Sequence, residues 1–213
     1  MAFRVKRLNL IGFTLLVLAC FSTSPSSAVT YFGDENTINT SYFYDVWSGS
    51  TSMVSARFTM PAGPNHPVTA LKVYGPTTGN TQSYTIGIQT DDATVNHFPS
   101  GSYVISVNTS FSNSAAAWWT TPIMTPSSFT LIAGQIYHVI VDGSAVGAAN
   151  KEFQWTGHSD PNNQLFPLGQ ILDPMANTLA YNGTWTAANY MPCFEILCSD
   201  GHENQKMCST YRG

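Results

Sequence analysis

The chain carries little charge, and positive charge is the scarcer sign. Its 213 residues include 8 Lys and Arg against 12 Asp and Glu, a formal net charge of −4. Nucleic acids and anionic lipid surfaces attract proteins through clustered Lys and Arg. The composition therefore argues against nucleic acid and against an anionic membrane surface as partners.

Sequence motifs of known catalytic sites are missing as well. The five histidines show no H-E-x-x-H spacing, and no phosphate-binding or dinucleotide-binding glycine motif occurs. The segment 143–147 (GSAVG) places serine second rather than third in the G-x-S-x-G pattern of hydrolases. We therefore predict a protein that is not an enzyme and that needs no cofactor.

Long helical patterns are also absent, since no run of helical period exceeds about two turns. Short alternating runs bounded by Gly, Pro, Asn or Ser occur instead, and they are rich in β-branched and aromatic residues. These runs predict an all-β fold, an antiparallel, jelly-roll-like β-sandwich of about eight or nine strands. The runs are residues 53–60, 68–74, 84–90, 103–107, 118–124, 136–141, 152–156, 179–181 and 193–197, and residues 157–177 are predicted to form a long loop.

The N-terminus has the pattern of an export signal. Three basic residues precede an apolar run at 8–20, and Ser-Ser-Ala follows at 26–28. We predict a signal peptide at residues 1–28, one β-sandwich domain at 29–198 and a Cys-containing tail at 199–213. Cleavage leaves 5 Lys and Arg against 12 Asp and Glu, a net charge of −7, on a secreted or cell-surface protein without membrane insertion. Lipoprotein anchoring through Cys20 is the less favoured alternative, because Leu18 stands where a small residue is usual.

Cysteine and asparagine positions are consistent with export. Cleavage of the signal would leave Cys193, Cys198 and Cys208. Cys193 and Cys198 are five residues apart, so an extended strand points them to opposite faces. A Cys198–Cys208 disulfide would close a short loop in an oxidising exterior, which leaves Cys193 buried or paired between chains. Asn-X-Ser/Thr glycosylation triplets begin at Asn39, Asn108 and Asn182.

Two adjacent carboxylates, Asp91 and Asp92, end the run IGIQTDD. Neighbouring side chains on an extended backbone diverge, so they cannot form the converging carboxyl pair of a glycosidase. We predict that they cap a turn through Asx hydrogen bonds. A structural calcium site is the alternative, because calcium takes several loop oxygens.

Aromatic residues are the remaining signal for binding. Trp118 and Trp119 are neighbours in a strand, so one of them must leave the core-facing side. Trp155, Tyr181 and Trp185 lie near predicted loops that would meet at one end of the sandwich. Exposed rings stack on sugar faces, and we predict a glycan site drawn from these five aromatic residues. The alternative is that the rings only fill the core.

Four segments in order resemble a β-sandwich module common in secreted prokaryotic proteins, similar to jelly-roll carbohydrate-binding modules. They are SARFTMPAGPNHPVTALKVYG, IGIQTDD with FPSG, WWTTPIMTPSSFTLIAGQIYHVIVDG and YNGTWTAANYMPCFEI, and they cover about residues 52–197. The resemblance implies a non-catalytic module that binds a glycan or another surface component. The alternative is a structural subunit that self-assembles into an extracellular layer, fibre or adhesive coat.

Overall fold

The computed structural model describes residues 29–33, 42–60, 65–76, 82–111, 115–147, 153–158, 178–187 and 191–198. These residues form strands and no helix, and every pairing between strands is antiparallel. The predicted all-β antiparallel sandwich is therefore confirmed. The strands are β1 (Val29–Gly33), β2 (Tyr42–Val46), β3 (Met53–Thr59), β4 (His66–Gly75), β5 (Ser83–Asp91), β6 (Pro99–Ser110), β7 (Ala117–Thr120), β8 (Phe129–Leu131), β9 (Ile136–Asp142), β10 (Phe153–His158), β11 (Thr178–Tyr181), β12 (Trp185–Ala187), β13 (Met191–Pro192) and β14 (Phe194–Cys198).

The strands form three sheets. A six-stranded sheet has the order β12-β11-β3-β9-β5-β6, and a five-stranded sheet has the order β1-β14-β4-β7 with β8 also paired to β4. A three-stranded sheet, β13-β10-β2, adjoins the five-stranded one. Gly75 permits that approach, because a Cβ at this position would collide with the carbonyl oxygen of Gln154.

The core lies between the six-stranded and five-stranded sheets. Alternation along β3 buries Val54, Ala56 and Phe58, and alternation along β14 turns Phe194 and Ile196 to the same core. The rings of Phe58 and Phe194, one from each sheet, lie 6.2 Å apart. Each sheet therefore has one core-facing side and one outer face, and the outer faces are where a ligand could be met.

The structure has more strands than the eight or nine predicted from sequence. The additional ones, β1, β2, β8, β12 and β13, are five residues or fewer, too short for an alternating pattern to stand out. The predicted run 118–124 ends as a strand at Thr120. Gly157 and His158, the first two residues of the predicted loop 157–177, belong to β10. Residues 159–177 lie outside the described part of the chain, and a jelly-roll connectivity stays a prediction.

Several predictions concern residues that are not described. The signal peptide with Cys20, the first glycosylation triplet at Asn39, and the tail 199–213 with Cys208 all lie outside the described residues. Cys193 and Cys198 are both buried and are not joined to each other, and Cys198 belongs to the core cluster. The Cys198–Cys208 disulfide stays a prediction. No described helix is long and apolar enough to cross a membrane.

Candidate functional site

The five aromatic residues predicted to share a site are separated by the fold. Trp155 is 0% exposed within the core cluster, and its Nε1 donates to the Cys193 carbonyl oxygen at 2.9 Å. Trp119 packs against the core, with its Nε1 donating to the Gly75 carbonyl at 2.9 Å and its ring 5.2 Å from Phe111. Including Trp155 in the site was wrong, because its indole is fully enclosed and its one donor is already used.

Trp118 lies on the outer face of the five-stranded sheet. It pairs across the strands with Tyr74, and the two rings meet edge to face at 5.4 Å. Trp118 and Trp119 therefore point to opposite sides of β7, as the alternation predicts. Trp118 is nonetheless on a different sheet from Tyr181 and Trp185, so it does not join them in one site.

Tyr181 and Trp185 are brought together. They are directly paired between β11 and β12, their ring centroids are 5.1 Å apart, and both are half-buried. The turn between them includes Gly183 with φ of 85°, a left-handed conformation that glycine adopts without strain. Asn182, a predicted glycosylation position, is exposed in this turn. The hairpin thus presents two aromatic rings side by side at one edge of the six-stranded sheet.

Tyr181 and Trp185 belong to a line of directly opposed residues that crosses the six-stranded sheet, with one residue on each strand. Residues directly opposite each other in antiparallel strands point to the same face. The face is the outer one, because neighbouring residues along the strands, such as Val54 and Ile86, are in the core. We call the resulting line of side chains the outer row, and at about 4.8 Å per strand it spans about 24 Å. The outer row consists of Trp185, Tyr181, Met53, Asp142, Thr85 and Asn108, all partly or fully exposed.

The polar half of the outer row is held in place by hydrogen bonds. Asp142 Oδ1 accepts from the backbone N–H of Ser144 at 2.8 Å. Thr85 Oγ1 donates to Asn108 Oδ1 at 2.7 Å. This bond uses the carbonyl oxygen of Asn108, an exposed residue whose NH₂ group is a hydrogen-bond donor. The outer row therefore combines an aromatic platform with a carboxylate acceptor and an amide donor.

The residues next to the outer row on the same face are buried. Ser55 and Ile140 are 0% exposed and Leu179 is 3% exposed, although all three are on the outer side of the sheet. The ring of Tyr103 lies over Gly87, where a Cβ would come within 2.7 Å of it. Burial, and then the charge of Asp142, raise the pKa of the Tyr103 hydroxyl, while Gln89 weakly opposes the shift. The outer row is consequently the accessible margin of a largely buried face.

Further along this face, four side chains from three strands and a loop form a polar network. Ser55 Oγ lies 2.9 Å from His138 Nδ1, and His138 Nε2 lies 3.2 Å from Asp91 Oδ1. His97 Nδ1 contacts the other carboxylate oxygen of Asp91 at 3.0 Å. An ionised carboxylate only accepts hydrogen bonds, so Nε2 of neutral His138 donates to Asp91 and Nδ1 accepts from Ser55. Every member of the polar network is thereby satisfied.

The order serine, histidine, carboxylate is also that of a hydrolase triad. Ser55 and His138 are, however, 0% exposed, and Ser55 is in the middle of β3 with no path to a substrate in this conformation. Burial lowers the pKa of His138 to about 4, although the hydrogen bond and charge of Asp91 act in the opposite direction. A fully enclosed serine cannot attack a substrate, so we interpret the polar network as support for the end of β5. A histidine inside a strand is usually either satisfied by hydrogen bonds or solvent-facing, and His138 is buried with two hydrogen bonds.

Asp91 and Asp92 diverge at the end of β5, as predicted. Asp91 Oδ2 accepts from the backbone N–H of Ala93 at 2.9 Å, and Asp92 Oδ1 accepts from Thr94 at 2.9 Å and Phe98 at 3.1 Å. The predicted Asx capping is therefore confirmed. Partial burial acts to raise the pKa of Asp92, but the bonds from Thr94 and Phe98 outweigh it and hold that pKa below its ordinary value.

No metal cluster is formed by the part of the chain that is described. No group of three or more His, Cys, Asp or Glu residues there is arranged to hold a metal ion. His97 and His138 contact different oxygens of Asp91, Oδ2 and Oδ1 respectively. The calcium alternative for Asp91 and Asp92 stays an untested hypothesis.

We expect Asp92→Ala to loosen the loop from Asp92 to Phe98. The substitution removes the acceptor for two backbone N–H groups, and at a partly exposed site this is worth about 1 kcal/mol. The melting temperature should fall by about 3 °C. Asp92→Asn is the matched control, because it keeps one carbonyl acceptor and should lose less. An Asp92→Ala protein that melts with the wild type would show that this side chain does not hold the loop.

The comparisons with known proteins were negative: no family model, no curated protein and no solved structure matches this sequence. The resemblance to secreted β-sandwich modules therefore stays a hypothesis. Function has to be inferred from the geometry of the described side chains.

Sequence reasoning found the aromatic half of the outer row and missed most of the polar half. Asn108 was identified only as a glycosylation acceptor, and Thr85 and Asp142 were not singled out. Their signal was weak, since each is one polar residue at an outward position of an alternating strand. Only the register of five neighbouring pairs, fixed by the folded sheet, places them in line with Tyr181 and Trp185.

Proposed function

We propose that this protein is an exported, non-catalytic binding domain whose ligand is a glycan, bound on the outer row of the six-stranded sheet. The observation that carries the proposal is the pair of half-buried rings, Tyr181 and Trp185, in register with partly or fully exposed polar side chains of the same sheet. A pyranose ring has an apolar face and a rim of hydroxyl groups. The outer row offers a complement to each, aromatic rings for the face and hydrogen-bonding groups for the rim.

The outer row is expected to bind a single oligosaccharide weakly. A well-placed aromatic contact contributes on the order of 1 kcal/mol, and an exposed hydrogen bond contributes about as much. Two rings and two or three polar contacts therefore favour a modest affinity for one oligosaccharide. Repeating glycans on a cell surface or in a polysaccharide would raise the effective affinity through multiple attachment. This suits the surface or exterior location that the N-terminal sequence pattern predicts.

Self-assembly is the second candidate, and it requires a strand edge that can pair with another copy. The longest described strand, β6, has twelve residues and lies at an edge of its sheet. Its centre is already occupied, because Ser106 exchanges backbone hydrogen bonds of 3.0 and 2.7 Å with Thr125. A bridged edge resists pairing with another chain. We therefore rank a structural subunit below a glycan-binding domain.

The proposal is tested by a glycan array with three proteins: wild type, Tyr181→Ala/Trp185→Ala, and Trp118→Ala. The double substitution removes both rings of the outer row, and we expect binding to fall by at least about tenfold. Trp118→Ala removes a ring of similar exposure from the other sheet, and binding should stay within about twofold of wild type. Circular dichroism verifies that all three proteins are folded.

Two outcomes would count against the proposal. If the folded wild-type protein bound no glycan of plant, bacterial or animal origin, the proposed function would be wrong. If Trp118→Ala lost binding while the double variant kept it, the glycan site would lie on the five-stranded sheet instead of the outer row.

A further inference from the structure

The outer row contains a single formal charge, and that charge is negative. Asp142 is the ionisable carboxylate among its six members, and the row includes no Lys, Arg or His. Among the residues that the structure describes, the Lys or Arg on this face is Arg57, which pairs with His138, four residues from Asp142 along β9. That separation is about 13 Å, longer than the screening length of about 8 Å at physiological ionic strength. Arg57 cannot neutralise Asp142 at this distance.

Arg57 is moreover engaged elsewhere. Its guanidinium donates to the carbonyl oxygens of Asn96 and His97 at 3.4 and 3.5 Å, in the loop beyond β5. The Arg57 side chain is therefore bound to the loop that follows β5, away from the outer row. Within the described part of the chain, no Lys or Arg on the outer row compensates the charge of Asp142 that a ligand lying there would meet.

Asp142 is also held rigidly enough to act on a ligand. The bond from the Ser144 N–H fixes one carboxylate oxygen of Asp142 at the end of β9. Asp142 is half-buried, so its field is less screened than that of a fully solvated carboxylate.

Two strands away, Asn108 supplies the opposite hydrogen-bonding character. Thr85 occupies its carbonyl oxygen, so its NH₂ group is the part that can donate to a ligand. The carboxylate and the amide are about 10 Å apart, a distance that adjacent or next-but-one sugar units of an oligosaccharide can bridge. Sugar hydroxyl groups both donate and accept, and they can satisfy Asp142 and Asn108 together.

We propose that Asp142, Thr85 and Asn108 extend the binding site along the outer row and restrict it to glycans without carboxylate or sulfate groups. This inference rests on the proposed function of the same site. The hydroxyl groups of a neutral sugar donate to Asp142, whereas a uronic acid or a sulfated sugar at that position brings a second anion against it. Repulsion between like charges excludes the acidic ligand.

The test compares one oligosaccharide in two charge states. The neutral glycan that gives the strongest array signal is used as it is, and again after its primary hydroxyl groups are oxidised to carboxylates. The protein is produced in a host without N-glycosylation, so that Asn108 is unmodified. We expect the oxidised ligand to bind wild type at least about tenfold more weakly at low salt, and the difference to shrink in high salt.

Asp142→Asn removes the negative charge of Asp142 while keeping a side chain of nearly the same shape. Asp92→Asn is its matched control. Both variants remove one negative charge, but Asp92 is at the other end of β5, about 20 Å from the outer row. Asp142→Asn should bring the two ligands to within about threefold of each other, and Asp92→Asn should leave the discrimination unchanged.

The outcomes distinguish this inference from the function on which it rests. Strong binding of acidic glycans by wild type, or discrimination that persists in Asp142→Asn, would overturn the inference while leaving glycan binding intact. An array without any ligand would overturn the proposed function, and the inference with it. Equal loss of discrimination in both variants would assign the effect to net charge rather than to Asp142.

Discussion

Replacement of Trp155 by alanine is expected to lower the free energy of unfolding by about 4 kcal/mol. The side chain is 0% exposed, so the substitution removes one of the largest buried surfaces in the core and leaves a cavity. It also leaves the Cys193 carbonyl oxygen without the indole donor that contacts it at 2.9 Å. For a domain with a stability of about 5–15 kcal/mol this is a large fraction.

Trp185→Ala is the matched comparison, because it deletes the same side chain from a half-buried position on the outer row. We expect a cost of about 1 kcal/mol there, since much of the ring is already in contact with water. Urea denaturation of the two variants beside wild type measures both effects. A Trp155→Ala protein that loses less than about 1.5 kcal/mol would contradict the assignment of Trp155 to the core.

Acid is expected to destabilise the folded protein between about pH 6.5 and pH 4, the range in which His138 takes up a proton on unfolding. The pKa of His138 is about 4 in the folded protein and is about 6.5 in an unfolded chain. Between these values the unfolded state binds more protons, so stability falls as pH falls. The contribution of neutral His138 is complete above about pH 6.5 and is lost on approach to pH 4. At about 1.4 kcal/mol per pH unit, the loss is about 3 kcal/mol.

The groups around His138 decide whether this expectation holds. Asp91 and Asp92 favour the protonated form, whereas burial and the charge of Arg57 oppose it. Urea denaturation at pH 7, 6, 5 and 4.5 measures the slope in wild type and in His138→Gln, whose slope should be flatter even if its stability at pH 7 is lower. Wild-type stability that stays constant or rises between pH 6.5 and 5 would mean that Asp91 keeps the buried histidine charged.

Local patterns in the sequence predicted much of the fold. The long strands β3, β5 and β9 each place alternate residues in the core, so their alternation is visible in the sequence without any knowledge of their partners. The same local reasoning placed Trp118 and Trp119 on opposite sides of β7, and it assigned Asp91 and Asp92 to a capped turn. Strands such as β12 and β13, with three and two residues, are defined only by the strands they pair with.

The candidate site was less predictable, because it depends on register between strands distant in sequence. Ser55 and His138 are 83 residues apart, and neither was assigned to a site from the pattern of its own strand. Trp155 was grouped with Tyr181 and Trp185 because of nearby loops, whereas the β10 strand turns it into the core. Proximity to a loop does not tell which face of a strand a side chain occupies. For Tyr181 and Trp185, that face is given by the pairing of β11 with β3 and β12.

The most direct test of glycan binding on the outer row is an NMR titration that follows the indole N–H signals of the tryptophans. The five tryptophans, Trp47, Trp118, Trp119, Trp155 and Trp185, report from different parts of the fold. On addition of the best array glycan we expect the Trp185 signal to shift progressively and saturate, while those of Trp119 and Trp155, whose N–H groups are bonded inside the protein, stay in place. A saturating shift of the Trp118 signal with Trp185 unmoved, or no shift of any signal with a ligand in large excess, would contradict binding on the outer row.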